Sequence, residues 1–287
     1  YSKPQRDAFA RWLADHYGGL TDLRAAWGQP VQPLTDESAV EEGRPILSWE
    51  QVEVPDRKQR IKSFPGMGVL REPAGSQHVI DYDLFASALM AQSITELASA
   101  VKNAAPERLC GASYGHLFDQ AREPYLLQNG GHLAVGMLLE AEPIDFVSAP
   151  LADIKDLGAP TFSSVSASLA AHGKAVLNMR PAGEGMGSDP APTNARIAMC
   201  AATGQHVALS PEAFGEIEQP WRQALGAIAG AAGPRSAQIA VVVDDASCAY
   251  TVPGTDLVAP LLDEQRAGLT SLGAPVDVVL LNDVLQQ

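Results

Sequence analysis

An α/β fold built on a parallel sheet is what the sequence predicts, and three observations carry it. Four short apolar runs, at residues 108–114, 144–149, 174–178 and 205–209, recur about 30 residues apart. Each is followed by a helical pattern, and such crossovers are what parallel neighbours need, since a hairpin only reverses direction. A fresh strand–helix–strand pattern then opens after Gly233-Pro234. In folds of this kind functional groups sit on loops that leave the C-terminal ends of the strands.

In chain order, residues 3–18 read as a helix with Phe9, Trp12, Leu13 and Tyr17 on one stripe, closed by Gly18-Gly19. Residues 21–27 make a short second helix with Thr21 as its N-cap. From Gly28 to about Gly75 the chain is rich in Pro, Gly and charge, yet Trp49, Phe64 and Met67 need apolar surroundings, so this stretch should fold back. A long amphipathic helix is expected over 81–105, with Phe85, Leu89, Ile94, Leu97 and Val101 facing inward. The crossover helices fall at 131–140, 163–171, 193–202 and 220–232. Beyond Gly233-Pro234, residues 238–243 and 275–281 are buried strands flanking a helix at 256–272. One such unit is too little for a packed domain, and the chain opens on Tyr1 rather than Met. The expectation is therefore a window on a longer protein.

Composition narrows the function classes. The chain has 287 residues, is 46% hydrophobic and carries 20 Lys+Arg against 34 Asp+Glu, a net charge of −14. It is too apolar for a disordered chain, and an acidic surface repels nucleic acid and anionic membranes. No run of 18 consecutive apolar residues appears, so no membrane span is expected. Cys110, Cys200 and Cys248 are far apart in apolar stretches, without the spacing of a zinc site. They read as three buried thiols in a reduced, cytoplasmic chain. Gly183, Gly185 and Gly187 lack the Lys-Ser/Thr of a phosphate loop and the full dinucleotide fingerprint, so no organic cofactor or metal is indicated.

The strand ends hold the chemistry. The first delivers Ser113, Tyr114, Gly115 and His116, and residues 128–132 (Gln-Asn-Gly-Gly-His) open the next helix. The third delivers Asn178, Met179 and Arg180, followed by a loop with Glu184 and Asp189. Aromatic faces beside amide and imidazole groups suit a sugar, which offers apolar C–H faces and many hydroxyls. Tyr114, His116, Asn129, His132 and Asn178 are thus candidate saccharide contacts, and packing roles explain the same residue types equally well. Ser113 lacks a nucleophile elbow. Of the carboxylates a hydrolase would need, Glu184 follows the third strand and Asp119 and Glu123 the first, and a charged surface loop accounts for all three too.

Several stretches, in a shared order, resemble glycoside hydrolases of the family 42 (β-galactosidase) type. They are FARWLADHYGGLTDLRAAWG from Phe9, DYDLFASAL from Asp81, GASYGHLFD from Gly111, NGGHLAVGMLLEAEPIDFVSAP from Asn129 and SLAAHGKAVLNM from Ser168. IAVVVDDASCAY from Ile239 and LGAPVDVVLLNDVL from Leu272 are similar to the start of the flavodoxin-like domain that follows the barrel there. The resemblance implies the C-terminal half of a (β/α)8 TIM barrel, strands five to eight, over residues 1–233. It further implies the start of a flavodoxin-like doubly wound domain over 234–287, a saccharide partner and a homo-oligomer, a trimer. It places the general-acid glutamate upstream of Tyr1. The family's nucleophilic glutamate lies seven positions after the His of His-Gly-Lys, and counting from His172 lands on Met179. The positions that follow are Arg180, Pro181, Ala182 and Gly183, and LADIKDLGAPTF replaces the sugar-contacting Tyr/Arg pattern after the sixth strand. A thioether can neither form a glycosyl ester nor stabilise an oxocarbenium-like transition state as a carboxylate does. Two expectations follow, a hydrolase drawing a carboxylate from Glu184 or an inactive barrel that binds saccharide or scaffolds an assembly. An unrelated nucleotide-binding α/β protein is a third.

Overall fold

The computed structural model describes residues 2–29, 46–61, 68–150 except 122 and 124, 164–179 and 205–208, most of 237–286, and isolated positions between 197 and 227. Helix α1 (Lys3–Tyr17) carries Pro4 in its first turn and ends where Gly18 takes a left-handed φ of 71°, its N–H returning to the Ala14 carbonyl. Phe9 and Leu13 are buried and Trp12 and Tyr17 border the same core, as the stripe predicts. Helix α2 (Leu20–Ala26) begins earlier than expected. Its N-cap is Gly19, so Thr21 lies inside the first turn and caps nothing. A 3₁₀ turn at Trp49–Gln51 and α3 (Arg57–Ile61) follow. Trp49 does fold back, packing with Trp12 and Trp27 around Phe9, Leu23, Ile46, Val52, Tyr82 and Phe85. Phe64 and Met67 lie outside the described residues.

Helix α4 (Pro73–Ala104) is 32 residues long and opens well before Asp81. Two aspartates in its first half anchor the α1–α3 lobe. Asp81 accepts from Tyr17 Oη (2.9 Å), Trp27 Nε1 (2.7 Å) and Gln77 Nε2 (2.8 Å). Asp83, fully buried, accepts from Arg60 Nε and Nη2 at 3.3 and 3.2 Å. Burial nevertheless pushes its pKa up to about 7. The inward face differs from the one expected. Phe85 is buried and Ile94 borders the core, but Leu89, Leu97 and Val101 are exposed, and Ala91 and Ala98 are what the helix buries. Small residues let the helix lie close to its neighbours and turn its larger side chains outward. By length and composition alone α4 is apolar enough to cross a membrane, a property it shares with core helices, and 22% of its most apolar stretch is buried. The expectation of no span counted only unbroken apolar runs.

The four expected strands form one parallel sheet. They are β1 (Gly111–Ser113), β2 (Phe146–Pro150), β3 (Ala175–Met179) and β4 (His206–Ala208), lying side by side in sequence order. Between β1 and β2 run α5 (Leu117–Gln120), α6 (Leu126–Asn129) and α7 (Val135–Glu140), and α8 (Ser166–Ala171) links β2 to β3. Register sets two faces. Ala112, Val147 and Val176 share the one that packs into the main core with Leu138, Leu139 and Leu169. Ser113, Ser148, Leu177 and His206 form one row of the other, and Pro150, Met179 and Ala208 the row beyond it.

After the second composition shift, β5 (Ile239–Val243) pairs in parallel with β6 (Val276–Leu280), and α9 (Leu281–Leu285) follows. The helix expected over 256–272 is seen as a π-helical turn at Ala259–Glu264 with helical positions up to 269. This region shares the main core, through Val243, Cys248, Ala249, Val278 and Leu280. Asp245 accepts from Val135 N (2.7 Å), Ser168 Oγ takes the Leu280 N–H (2.8 Å), and Leu70 bridges Thr251.

Candidate functional site

Sheet order and register converge on the C-terminal ends of β1, β2 and β3. After Ser113 the chain turns sharply at Gly115, whose φ of 75° favours glycine, and a Cβ there would press on Val135 and on Ser164 Oγ at 3.2 and 3.3 Å. The turn swings His116 back over the sheet, where its Nε2 donates to the Ser148 carbonyl at 2.7 Å. A carbonyl only accepts, so this bond fixes the Nε2–H tautomer. Ser113 Oγ lies 3.5 Å from the same nitrogen.

Behind this turn His132 and Tyr114 do structural work. The rings stack at 4.7 Å with 9° between their planes. His132 Nδ1 accepts the Gly115 N–H at 3.1 Å, and the His116 N–H approaches it at 3.5 Å. Burial, aided by His116, pulls the His132 pKa down to about 4, so the ring is neutral and free to accept. Tyr114 is wholly buried. Its hydroxyl donates to the Ser87 carbonyl and accepts the Ala134 N–H, both at 3.2 Å, and burial raises its pKa. Tyr114 therefore offers no face to a ligand, and the sugar-stacking expectation for it is withdrawn in favour of packing.

Asn178 changes role for a reason of parity. Neighbouring strand residues point to opposite faces, and Asn178 shares the buried side with Val176. There its amide donates to Gln205 Oε1 at 2.9 Å and to the His206 carbonyl at 3.3 Å, strapping β3 to the start of β4. Met179, one residue on, takes the other face at the very end of β3, with 44% of its surface exposed. Asn129 is half-buried and spends its amide N–H on the Tyr125 carbonyl within α6, so it too stabilises its own turn. Glu184, with the changed positions 180–183, lies outside the described residues, as does the segment 151–162.

Two serines emerge that residue typing missed. Ser148 holds His116 through its carbonyl and, though on the same sheet face as Met179, is itself only 5% exposed. Ser164 is 1% exposed and its hydroxyl finds no hydrogen-bond partner among the described residues. The signal for Ser148 was available, as one of two polar residues, with Asp145, within the apolar run 144–149, whereas that for Ser164 was not. Chemically, the surface can donate and accept hydrogen bonds and offers the Met179 thioether as an apolar contact. Among the described residues no group of three or more His, Cys, Asp or Glu side chains is arranged to hold a metal ion. Compared with family models, curated proteins and solved structures, the chain matches none.

Proposed function

We propose that this chain is a glycosidase-like barrel segment that binds a β-galactoside-type saccharide at the strand ends without hydrolysing it. The observation that carries the reading is Met179, half-exposed on the open face at the end of β3, where the resemblance calls for a nucleophilic carboxylate. A carboxylate there would attack the anomeric carbon, and a thioether supplies only dispersion contact with C–H faces. His116, held by Ser148 and positioned by His132 from behind, is the polar contact on the same side of the sheet.

The sequence-ordered parallel sheet supports a (β/α)8 barrel over a doubly wound one, because a doubly wound sheet reverses its strand order at a switch point. On this reading residues 1–233 are the barrel portion and 234–287 begin a flavodoxin-like domain, with β5 and β6 as its first two strands. Three buried thiols, none of them in a disulfide, fit a reducing, cytoplasmic compartment. A hydrolase using Glu184 is the competing reading. Calorimetry with lactose and release of nitrophenol from aryl β-galactosides, both on the full protein, separate them. Binding reduced at least tenfold in His116→Ala, with no nitrophenol release, is the expected result. Nitrophenol release abolished in Glu184→Gln establishes the hydrolase instead.

A further inference from the structure

The chain leaves β1 at the end of the sheet that carries His116 and Met179, and Tyr125 stands in the stretch that follows, directly before α6. Its backbone has a φ of 71° and a ψ of −8°. Among the described residues it is the one non-glycine in the left-handed region, which a bulky side chain avoids because its Cβ crowds the following carbonyl. Such strain persists only where the surroundings enforce it. Here Asn129 Nδ2 donates to the Tyr125 carbonyl at 2.8 Å. A Cβ on Gly254, itself left-handed with a φ of 74°, would lie 3.6 to 3.8 Å from the hydroxyl end of the Tyr125 ring. Gln128 Nε2 donates to Thr251 Oγ1 at 2.6 Å and ties α6 to the segment that carries Gly254. This bracing does not bury the ring, and Tyr125 stays 44% exposed.

We infer that Tyr125 is an outer saccharide platform on which a further sugar unit stacks beyond the one at His116 and Met179, a role that rests on the strand ends binding saccharide. Core packing does not account for a strained ring left half in water, whereas ligand stacking does. A ring fixed in advance gives up little freedom when a ligand lies on it. Its face matches the apolar C–H face of a pyranose. Platform and site share one short stretch of chain, because α6 is followed at once by His132, whose Nδ1 holds the Gly115 N–H and with it the turn that presents His116. With the whole chain at −14 and Glu123 exposed just ahead of Tyr125, the unit that stacks there is an uncharged sugar.

Calorimetry on the full protein with lactose and with galactosyllactose, one sugar unit longer, tests this, with far-UV circular dichroism as the control for folding. The wild type is expected to bind galactosyllactose about fivefold tighter than lactose, and Tyr125→Phe, which keeps the ring, to retain that ratio. Tyr125→Ala should bring the ratio close to one, and Tyr125→Gly serves if Tyr125→Ala fails to fold. Urea unfolding reads the strain separately. Tyr125→Gly should have a higher midpoint than Tyr125→Ala, since both lack the ring and glycine takes this φ without strain. Equal midpoints would show an unstrained position and overturn the inference. Lactose binding with no gain for galactosyllactose overturns the platform alone. So does a gain that survives the loss of the ring or disappears in Tyr125→Phe. Failure to bind either sugar overturns the saccharide reading of the strand ends, and the platform with it.

Discussion

Replacing Tyr114 by Phe separates a packing role from a ligand role at the strand ends. The substitution keeps the ring, its stack on His132 and the core volume, and removes only the hydroxyl. Of its two partners, the Ser87 carbonyl belongs to α4 and retains its helical ladder bond, whereas the Ala134 N–H stands just before α7 and loses its acceptor. An orphaned donor in this setting costs about 1–3 kcal/mol. Urea unfolding should show a lower midpoint at unchanged m, and lactose affinity by calorimetry should stay within a factor of two. Tyr114→Ala would be a poorer test, since truncating a buried ring costs about 3–5 kcal/mol and disturbs everything it supports. Unchanged stability with lost lactose binding would refute the packing assignment and return Tyr114 to the ligand surface.

Other outcomes follow from the same geometry. Because His132 has a folded pKa of about 4 against an ordinary 6.5, its contribution is complete above pH 6.5 and lost as pH falls toward 4. Allowing for its partial exposure, urea titrations at pH 7.5 and 4.5 should differ by about 1–2 kcal/mol more in wild type than in His132→Asn. Asp245→Ala removes the acceptor of the Val135 and Ala246 N–H groups and should cost about 2 kcal/mol by the same assay, whereas Asp244→Ala should cost less. A Cβ on Gly111 would collide with the Phe146 ring, so Gly111→Ala should destabilise by roughly 2 kcal/mol, and Phe146→Leu in the same chain should relieve most of it.

How much of this was legible in the sequence depends on contrast. Spacing and short apolar runs were enough to locate β1 to β6, because a strand followed by a crossover leaves a mark every 30 or so residues. Sidedness left none. In β3 both faces are largely apolar, so nothing in Ala-Val-Leu-Asn-Met shows that Met179 faces outward to the open side and Asn178 inward to Gln205. The same loss of contrast reversed the inward face of α4, where alanines rather than Leu89 and Leu97 meet the core. Thr21 carried the right chemistry for a cap but came two residues too late, since Gly19 had already supplied the extended backbone. Tyr114 and His132 were singled out by type, and only their partners, a helical carbonyl and two backbone amides, reveal that they hold the turn that presents His116.

The central claim is that the strand ends bind sugar and leave the glycosidic bond intact. Intact-mass spectrometry of the full protein after incubation with a 2-deoxy-2-fluoro-β-galactoside carrying an activated leaving group tests it most directly. The account predicts an unchanged mass at sugar concentrations that saturate binding. A mass gain of one fluorosugar, localised by peptide mapping to Glu184, would contradict it.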